Sequence, residues 1–220
     1  MYLPVAPRVK AGRAILPAMA PERPRTPYDA ASLVALAADV FTRRGYDGTS
    51  ISDLARAAGL TKSSIYHHVE GKEHLLRLAL ERALDPLFAV LDEPQAREGA
   101  ALARLEHVLR RQVEVLVREL PYVTLLLRVR GNTETERWAL QRRREFDAVV
   151  AGLAREAAAE GDLRSDLDAA LVARLVAGMT NSVVEWYRPA GQRAERGTRP
   201  GVQHLADTVV HLALDGWRAR

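Results

Sequence analysis

The chain has 220 residues, 48% of them hydrophobic, which is enough to bury a sizeable core. Its formal net charge of +4 invites a nucleic-acid partner, while the absence of cysteine excludes disulfides, thiolate metal sites and cysteine nucleophiles. No apolar run approaches the eighteen or so residues of a membrane span, and Arg13 and Pro17 interrupt the stretch around Ile15 and Leu16, so the chain is expected to be cytoplasmic with no signal peptide.

The charge is unevenly spread. Residues 1–27 carry Arg8, Lys10, Arg13, Arg23 and Arg25 against Glu22, whereas residues 28–76 are slightly acidic and the remainder is close to neutral. Prolines 4, 7, 17, 21 and 24 forbid a useful helix over residues 1–26, which are expected to be a disordered basic extension, inert or acting as a DNA-contacting arm. Thr26 and Pro27 then read as a cap and first-turn proline, and Leu33, Leu36, Ala37, Val40 and Phe41 form the buried stripe of a first helix that stops at Gly45.

The next stretch, TSISDLARAAGLTKSSIYHHVEGKEHLL from Thr49 to Leu76, reads as a helix-turn-helix with a further helix behind it. Ser50 can cap a helix whose apolar positions Ile51, Leu54, Ala55 and Ala58 fall at helical spacing, and Gly59 supplies the backbone freedom of a tight turn. Thr61 is a second cap; after it Ile65 and His68 face inward, and Lys62, Ser63, Ser64, Tyr66 and His67 surround the rest. Short hydrogen-bonding side chains plus a lysine suit insertion into a DNA major groove. Gly71 ends that helix.

From Lys72 a long helix runs through Leu75, Leu76, Ala79, Ala83, Leu87 and Val90, with a kink expected at Pro86. Glu93 to Gly99 reads as a loop. Leu102 to Val117 marks a helix ending before Pro121, Tyr122 to Val129 a short apolar one, Glu134 to Glu160 a long one, and Asp168 to Tyr187 and Gly201 to Trp217 the last two, divided by a Pro189 to Pro200 loop. No strand alternation or repeat is visible, so the expected class is all-α with about nine helices.

The Thr49 to Leu76 run resembles the DNA-binding domain of the TetR family of bacterial transcriptional regulators, with Thr49, Ile51, Leu54, Ala55, Ala58, Gly59, Tyr66, His67, Lys72 and Leu75 at its signature positions. The preceding FTRRGYDGTS segment ends its helix as the family's first helix ends; Val69 departs from the phenylalanine usual there. The resemblance spans roughly residues 31–80 and implies a helix-turn-helix domain over 27–72 and a ligand-binding and dimerisation domain over 73–220. It further implies that the first half of the second motif helix, with Lys62, Ser63 and Ser64, meets base edges. Tyr66, His67 and Lys72 would contact phosphates, and Thr49, Ser50 and the amides beside them would grip phosphate too. The partner is then an operator in double-stranded DNA, a palindrome read by a homodimer paired through its last two helices. Leu171, Leu175, Met179, Val183, Leu205, Val209 and Leu212 supply the apolar faces for that pairing.

Downstream, Trp138, Arg142, Phe146, Val149 and Leu153 lie along one stripe, so that Arg142 falls between two aromatics. A cation so placed either snorkels to solvent or faces a cavity holding an anion. Arg128, Arg130 and Asn132 close the preceding helix, and Asn181, Glu185 and Arg188 share a side of the eighth. Tyr122, Arg128, Asn132, Trp138, Arg142, Phe146, Asn181 and Trp186 are the candidate lining of a ligand chamber. The LLLRVRGNTETERWALQRRREFD segment and the WYRP ending resemble TetR members that sense acyl-coenzyme A thioesters, especially the phenylacetyl-CoA-responsive PaaR type, which implies a repressor released by such an effector. Open alternatives are a cationic or neutral hydrophobic effector, an activator, and a ligand-independent DNA binder. A helix bundle with snorkelling arginines is the non-functional reading of the same residues.

No G-x-S-x-G, HExxH or phosphate loop is present, so neither enzyme activity nor a cofactor is expected. His67, His68 and His74 lie close in sequence, but neighbours on a helix point about a hundred degrees apart, so no metal site is expected and His68 reads as a packed core histidine.

Overall fold

The computed structural model describes residues 29–188 and 201–218. The basic extension, the Thr26-Pro27 cap and the Pro189 to Pro200 loop lie outside them. Among the described residues there is no strand, only an isolated bridge between Leu163 and Arg218, and no helix is long and apolar enough to cross a membrane.

Helix α1 (Ala30–Arg44) is capped by Asp29, whose carboxylate accepts from the Ser32 amide at 2.7 Å. It buries Leu33, Val34, Ala37, Ala38, Val40 and Phe41, which is the expected stripe filled in. Helix α2 (Ile51–Ala58) begins in a reciprocal capping box between Ser50 and Asp53 and ends at Gly59, in the left-handed region with φ of 66°. Helix α3 (Lys62–Tyr66) is capped by the Thr61 hydroxyl and is shorter than expected. Its inward residues are Ile65 and, just past its end, Val69; His68 is exposed, which corrects the expectation of a core histidine. Helical phase explains the difference: four residues after Ile65 comes Val69, which takes the inward position.

Helix α4 (Lys72–Ala89) runs on through Pro86 and is followed by a 3-10 turn, Val90–Asp92. The stretch expected as a loop contains one helical turn, α5 (Pro94–Arg97), because proline is pre-set for a first helical position. Helices α6 (Ala101–Arg118), α7 (Leu120–Arg128) and α8 (Glu134–Ala159) follow the expected order, α8 capped by Thr133. The expected eighth helix is broken at Ser182 into α9 (Ala169–Asn181), capped by Asp168, and α10 (Val183–Trp186); the Ser182 hydroxyl donates to the Met179 carbonyl at 2.7 Å. Helix α11 (Val202–Leu214) closes the fold.

Two apolar cores position what matters for function. One gathers α1 to α4 together with α7, Val183 and Val184 of α10 and part of α11, so the helix-turn-helix shares its packing with downstream helices. The other lies between α6, α8, α9 and α11, around Leu105, Leu109, Phe146, Leu153 and Trp217. Displacing α7 therefore disturbs the packing that seats the first three helices.

Candidate nucleic-acid interface and effector cavity

The outward face of α3 presents Lys62, Ser63, Tyr66 and His67, and Tyr66 is 56% exposed although it is an aromatic residue. Ser64 is half-buried, its hydroxyl 2.8 Å from that of Thr61. Ser50 is exposed but engaged in its capping box: its hydroxyl lies 2.5 Å from the Asp53 carboxylate and accepts from the Asp53 amide at 3.2 Å. The Ser50 hydroxyl, with the Ser50 amide donating to the same carboxylate at 3.0 Å, holds the Asp53 carboxyl below its ordinary range. Thr49 is buried, and its hydroxyl donates to the Gly45 carbonyl at 2.8 Å, so it fastens the α1–α2 turn from within. A Cβ at neighbouring Gly48 would meet the Arg44 carbonyl oxygen at 2.9 Å, so only glycine fits this turn.

Lys72 donates to the Tyr46 carbonyl at 3.0 Å and sits 4.0 Å above the Tyr46 ring. It borders an open crevice with Asp47, Gly48, Thr49, Ser50, Ile51 and Asp53 at the start of α2. Burial, with Glu73, Asp47 and Glu136 nearby, pushes the Tyr46 hydroxyl up to about 12. Sequence reasoning passed over Tyr46; the signal was an aromatic directly after the helix-ending glycine. His67 and His68 are both exposed, and the His74 ring accepts from the Glu70 amide at 3.2 Å. Among the described residues no group of three metal-ligating side chains comes together.

A cavity of about 50 Å³ lies between α4, α6, α7, α8 and the end of α9. Val115, Leu116, Val123, Leu126 and Phe146 make it apolar, and Gln112, Arg143, Asp147 and Asn181 are its polar members. Of the eight candidate ligand residues it gathers Phe146 and Asn181. Arg142 instead places its guanidinium 3.6 Å from the centre of the Phe88 ring and pairs with Glu145 at 2.6 Å. The inward stripe of α8 is Ala139, Arg143, Phe146 and Val150, one residue out of phase with the expected one at the arginine; Val149 is 40% exposed. Burial lowers the Arg143 guanidinium and raises the Asp147 carboxyl from their ordinary values, each only partly offset by the other's charge and, for Asp147, by Arg174.

The remaining candidates occupy two other places. Tyr122 lines a groove between α1 and α4, and Trp186 is half exposed on the outer surface against Tyr187. Arg128, Asn132 and Trp138 belong to a latch joining the end of α7 and the start of α8 to α1, the α1–α2 turn and α4. Arg128 donates to the Thr42 carbonyl at 2.8 Å, and the Asn132 amide donates to Asp47 at 3.2 Å. The Thr135 hydroxyl donates to Glu73 at 2.8 Å, and Arg77 stacks on the Trp138 ring at 3.4 Å. Buried Glu136 clamps the turn itself, one carboxylate oxygen accepting from the amides of Gly131 and Asn132 at 2.8 Å and of Arg130 at 3.3 Å. Gly131, at φ of 91°, lets the three amides converge.

Comparison with known proteins places the chain in a family. Residues 33–79 match the sequence model for bacterial regulatory proteins of the tetR family, and residues 98–217 match the tetracyclin repressor-like C-terminal domain. The HTH-type transcriptional repressor KstR2 of Mycobacterium tuberculosis is 31% identical over 192 residues, 84% of this chain and 92% of that protein. The crystal structure of a TetR-family member from Streptomyces coelicolor superposes with a TM-score of 0.78 at 58% identity, covering 87% of this chain and 92% of the other. That of the ketosteroid transcriptional regulator KstR2 of Mycobacterium tuberculosis gives 0.73 at 26%, covering 87% and 95%. With both segments matched and an exposed recognition helix in place, the chain belongs to the TetR family of bacterial transcriptional regulators.

Proposed function

We propose that this protein is a homodimeric repressor that leaves a palindromic operator when a small amphipathic effector, an acyl-coenzyme A thioester such as phenylacetyl-CoA, enters the cavity beside α7. The observation that carries the reading is Arg143: its guanidinium, in no ion pair within 4 Å among the described residues, lines a largely apolar cavity whose other polar members are Gln112, Asp147 and Asn181. An apolar acyl group fits the Leu116, Leu126 and Phe146 walls, and a thioester carbonyl or another oxygen gives Arg143 an acceptor.

At about 50 Å³ the cavity holds water but not an acyl group, since small-molecule sites run to several hundred Å³. The effector must therefore open it by parting α4, α7 and α8. Val123, Leu126 and Leu127 of α7 form one wall, and α7 ends in Arg128, the first latch residue. Opening strains the latch on Thr42, Asp47 and Glu73 and reorients α3. In a dimer that shift mis-spaces two recognition helices which must meet major grooves about 34 Å apart.

Pairing is supported by an apolar face that the protomer leaves uncovered: Leu171 and Leu175 of α9, Trp186 of α10 and Leu212 of α11 are all more than half exposed. Of the seven residues expected there, Val183, Leu205 and Val209 are instead buried within the protomer. Asp147 favours a second reading, a cationic hydrophobe whose charge it would meet. Titrating the operator complex with phenylacetyl-CoA, other acyl-CoA thioesters, the free acids and a cationic dye, read by fluorescence anisotropy, separates the two. Release by a thioester supports the proposal; release by the dye alone, or by none, overturns it.

A further inference from the structure

The helix-turn-helix carries little free positive charge for a DNA reader. Residues 28–76 hold five cations against six acids, and two of those cations are spent locally: Arg43 pairs with Asp39, and Arg56 with Asp53. Arg44, Lys62 and Lys72 are left in no ion pair within 4 Å among the described residues. Affinity for a duplex rests largely on phosphates neutralised by lysine and arginine, so cations that other segments bring to the same edge add to it directly.

The turn between α7 and α8, with the helix ends that flank it, brings three. Its Asn132 amide bonds Asp47, which borders the crevice holding Ser50 and Lys72, and the Thr135 hydroxyl bonds Glu73, the residue next to Lys72. The turn therefore lies along the edge that offers Ser50 and Lys72 to phosphate, although it belongs to the downstream helices. Both bonds come from neutral donors, so they engage Asp47 and Glu73 without using any arginine of the turn. Arg128, Arg130 and Arg137 are all exposed and in no ion pair within 4 Å among the described residues, against one exposed acid, Glu134. Arg128 donates to the Thr42 carbonyl, and Arg137 to the carbonyls of Gly131 and Asn132 at 3.3 and 3.4 Å, bonds that fix where their charge sits without cancelling it. Glu136, the other acid of the segment, is buried and given to three amides.

We infer that this turn is a second DNA-contacting edge, at which Arg130 and Arg137 meet backbone phosphates of the operator beside those gripped at the start of α2 and at Lys72. The contacts are to phosphate and not to bases, so they add affinity without sequence information. They are made with no effector present, and the inference stands whatever the effector is.

Arg130→Gln and Arg137→Gln each remove one cation at an exposed position outside both apolar cores. In anisotropy titrations of the full chain without effector, each should weaken binding of the operator and of an unrelated duplex alike, about tenfold at about 0.15 M salt. Each should also lower the slope of log affinity against log salt by about 1 per bound copy of the chain. Arg130→Lys and Arg137→Lys should restore both quantities, and Arg144→Gln, exposed ten residues beyond Glu134 along α8, should change neither. Unchanged affinity and slope in both glutamine variants overturns the inference. A loss confined to the operator with the salt slope intact overturns it too. So does a loss that lysine fails to restore and that a lowered melting temperature accompanies, since the turn would then serve only as part of the latch.

Discussion

Glu136 should be one of the larger single contributors to stability in the chain, although it is a charged residue. Its side chain is 4% exposed and one oxygen accepts from two amides at 2.8 Å and a third at 3.3 Å. Hydrogen bonds to charged groups contribute about 1.5–3 kcal/mol each. Glu136→Ala removes all three acceptor contacts, but Arg130 and Asn132 are exposed and their amides rehydrate as the turn opens. The net loss should therefore be nearer about 3 kcal/mol than the full sum. For a chain of this length that lowers the melting temperature by about 6–12 °C. Glu136→Gln keeps one acceptor oxygen without charge and should lose about half as much. Thermal denaturation at fixed protein concentration measures both, and amide exchange at Gly131 and Asn132 should speed up in the alanine variant. A shift of less than about 2 °C for Glu136→Ala would refute the clamp.

Arg143→Leu should abolish effector-driven operator release while leaving operator affinity intact, whereas Arg142→Leu, stacked outside on Phe88, should respond almost normally; anisotropy titrations compare them. Tyr66→Ala and Lys72→Ala should each weaken operator binding about tenfold or more in a folded protein and flatten its salt dependence only for the lysine, as filter binding at several salt concentrations will show. Leu175→Glu, at a position 63% exposed in the protomer, should convert a dimer to a monomer by sedimentation velocity. Arg111, reinforced by His107, holds the Glu93 carboxyl below its ordinary value of 4.5 against the opposing effect of burial. A depressed folded value means that this stability is present above the ordinary value and disappears as pH falls through the folded one, so Glu93→Gln should flatten the acid limb of a stability-versus-pH curve.

The helix-turn-helix was legible because its determinants are local. Ser50, Gly59 and Thr61 act within four residues of themselves, and the structure places each where pattern reasoning puts it, adding Asp53 as the reciprocal half of the Ser50 capping box. His68 and Arg142 were misjudged for a shared reason. Apolar periodicity fixes a helix face only to within one residue, and a residue's reach then depends on what stands opposite: Val69 and Arg143 proved to face inward. The latch was illegible because each bond in it crosses between distant segments, Arg128 to Thr42 and Asn132 to Asp47 being over eighty residues apart, and no periodicity encodes such a pair. Thr49 shows the converse: a residue at a signature position whose hydroxyl serves the turn that presents the motif.

The smallness of the cavity constrains how the proposed switch works. If the protomer is closed most of the time, an effector's apparent affinity is its intrinsic affinity reduced by the fraction that is open. In the proposed switch operator DNA favours the closed form and so lowers that fraction, and linkage then requires the effector to weaken operator binding by the same factor. On that proposal the polar latch and the shared apolar core set the closed fraction, because both would have to yield when α7 moves. Loosening the latch by Asn132→Ala should therefore act in one direction on both ligands, tightening effector binding and weakening operator binding. A variant that changed one affinity and not the other would mean that the latch is not part of the element the two sites share, and calorimetry of each ligand alone reads that difference directly.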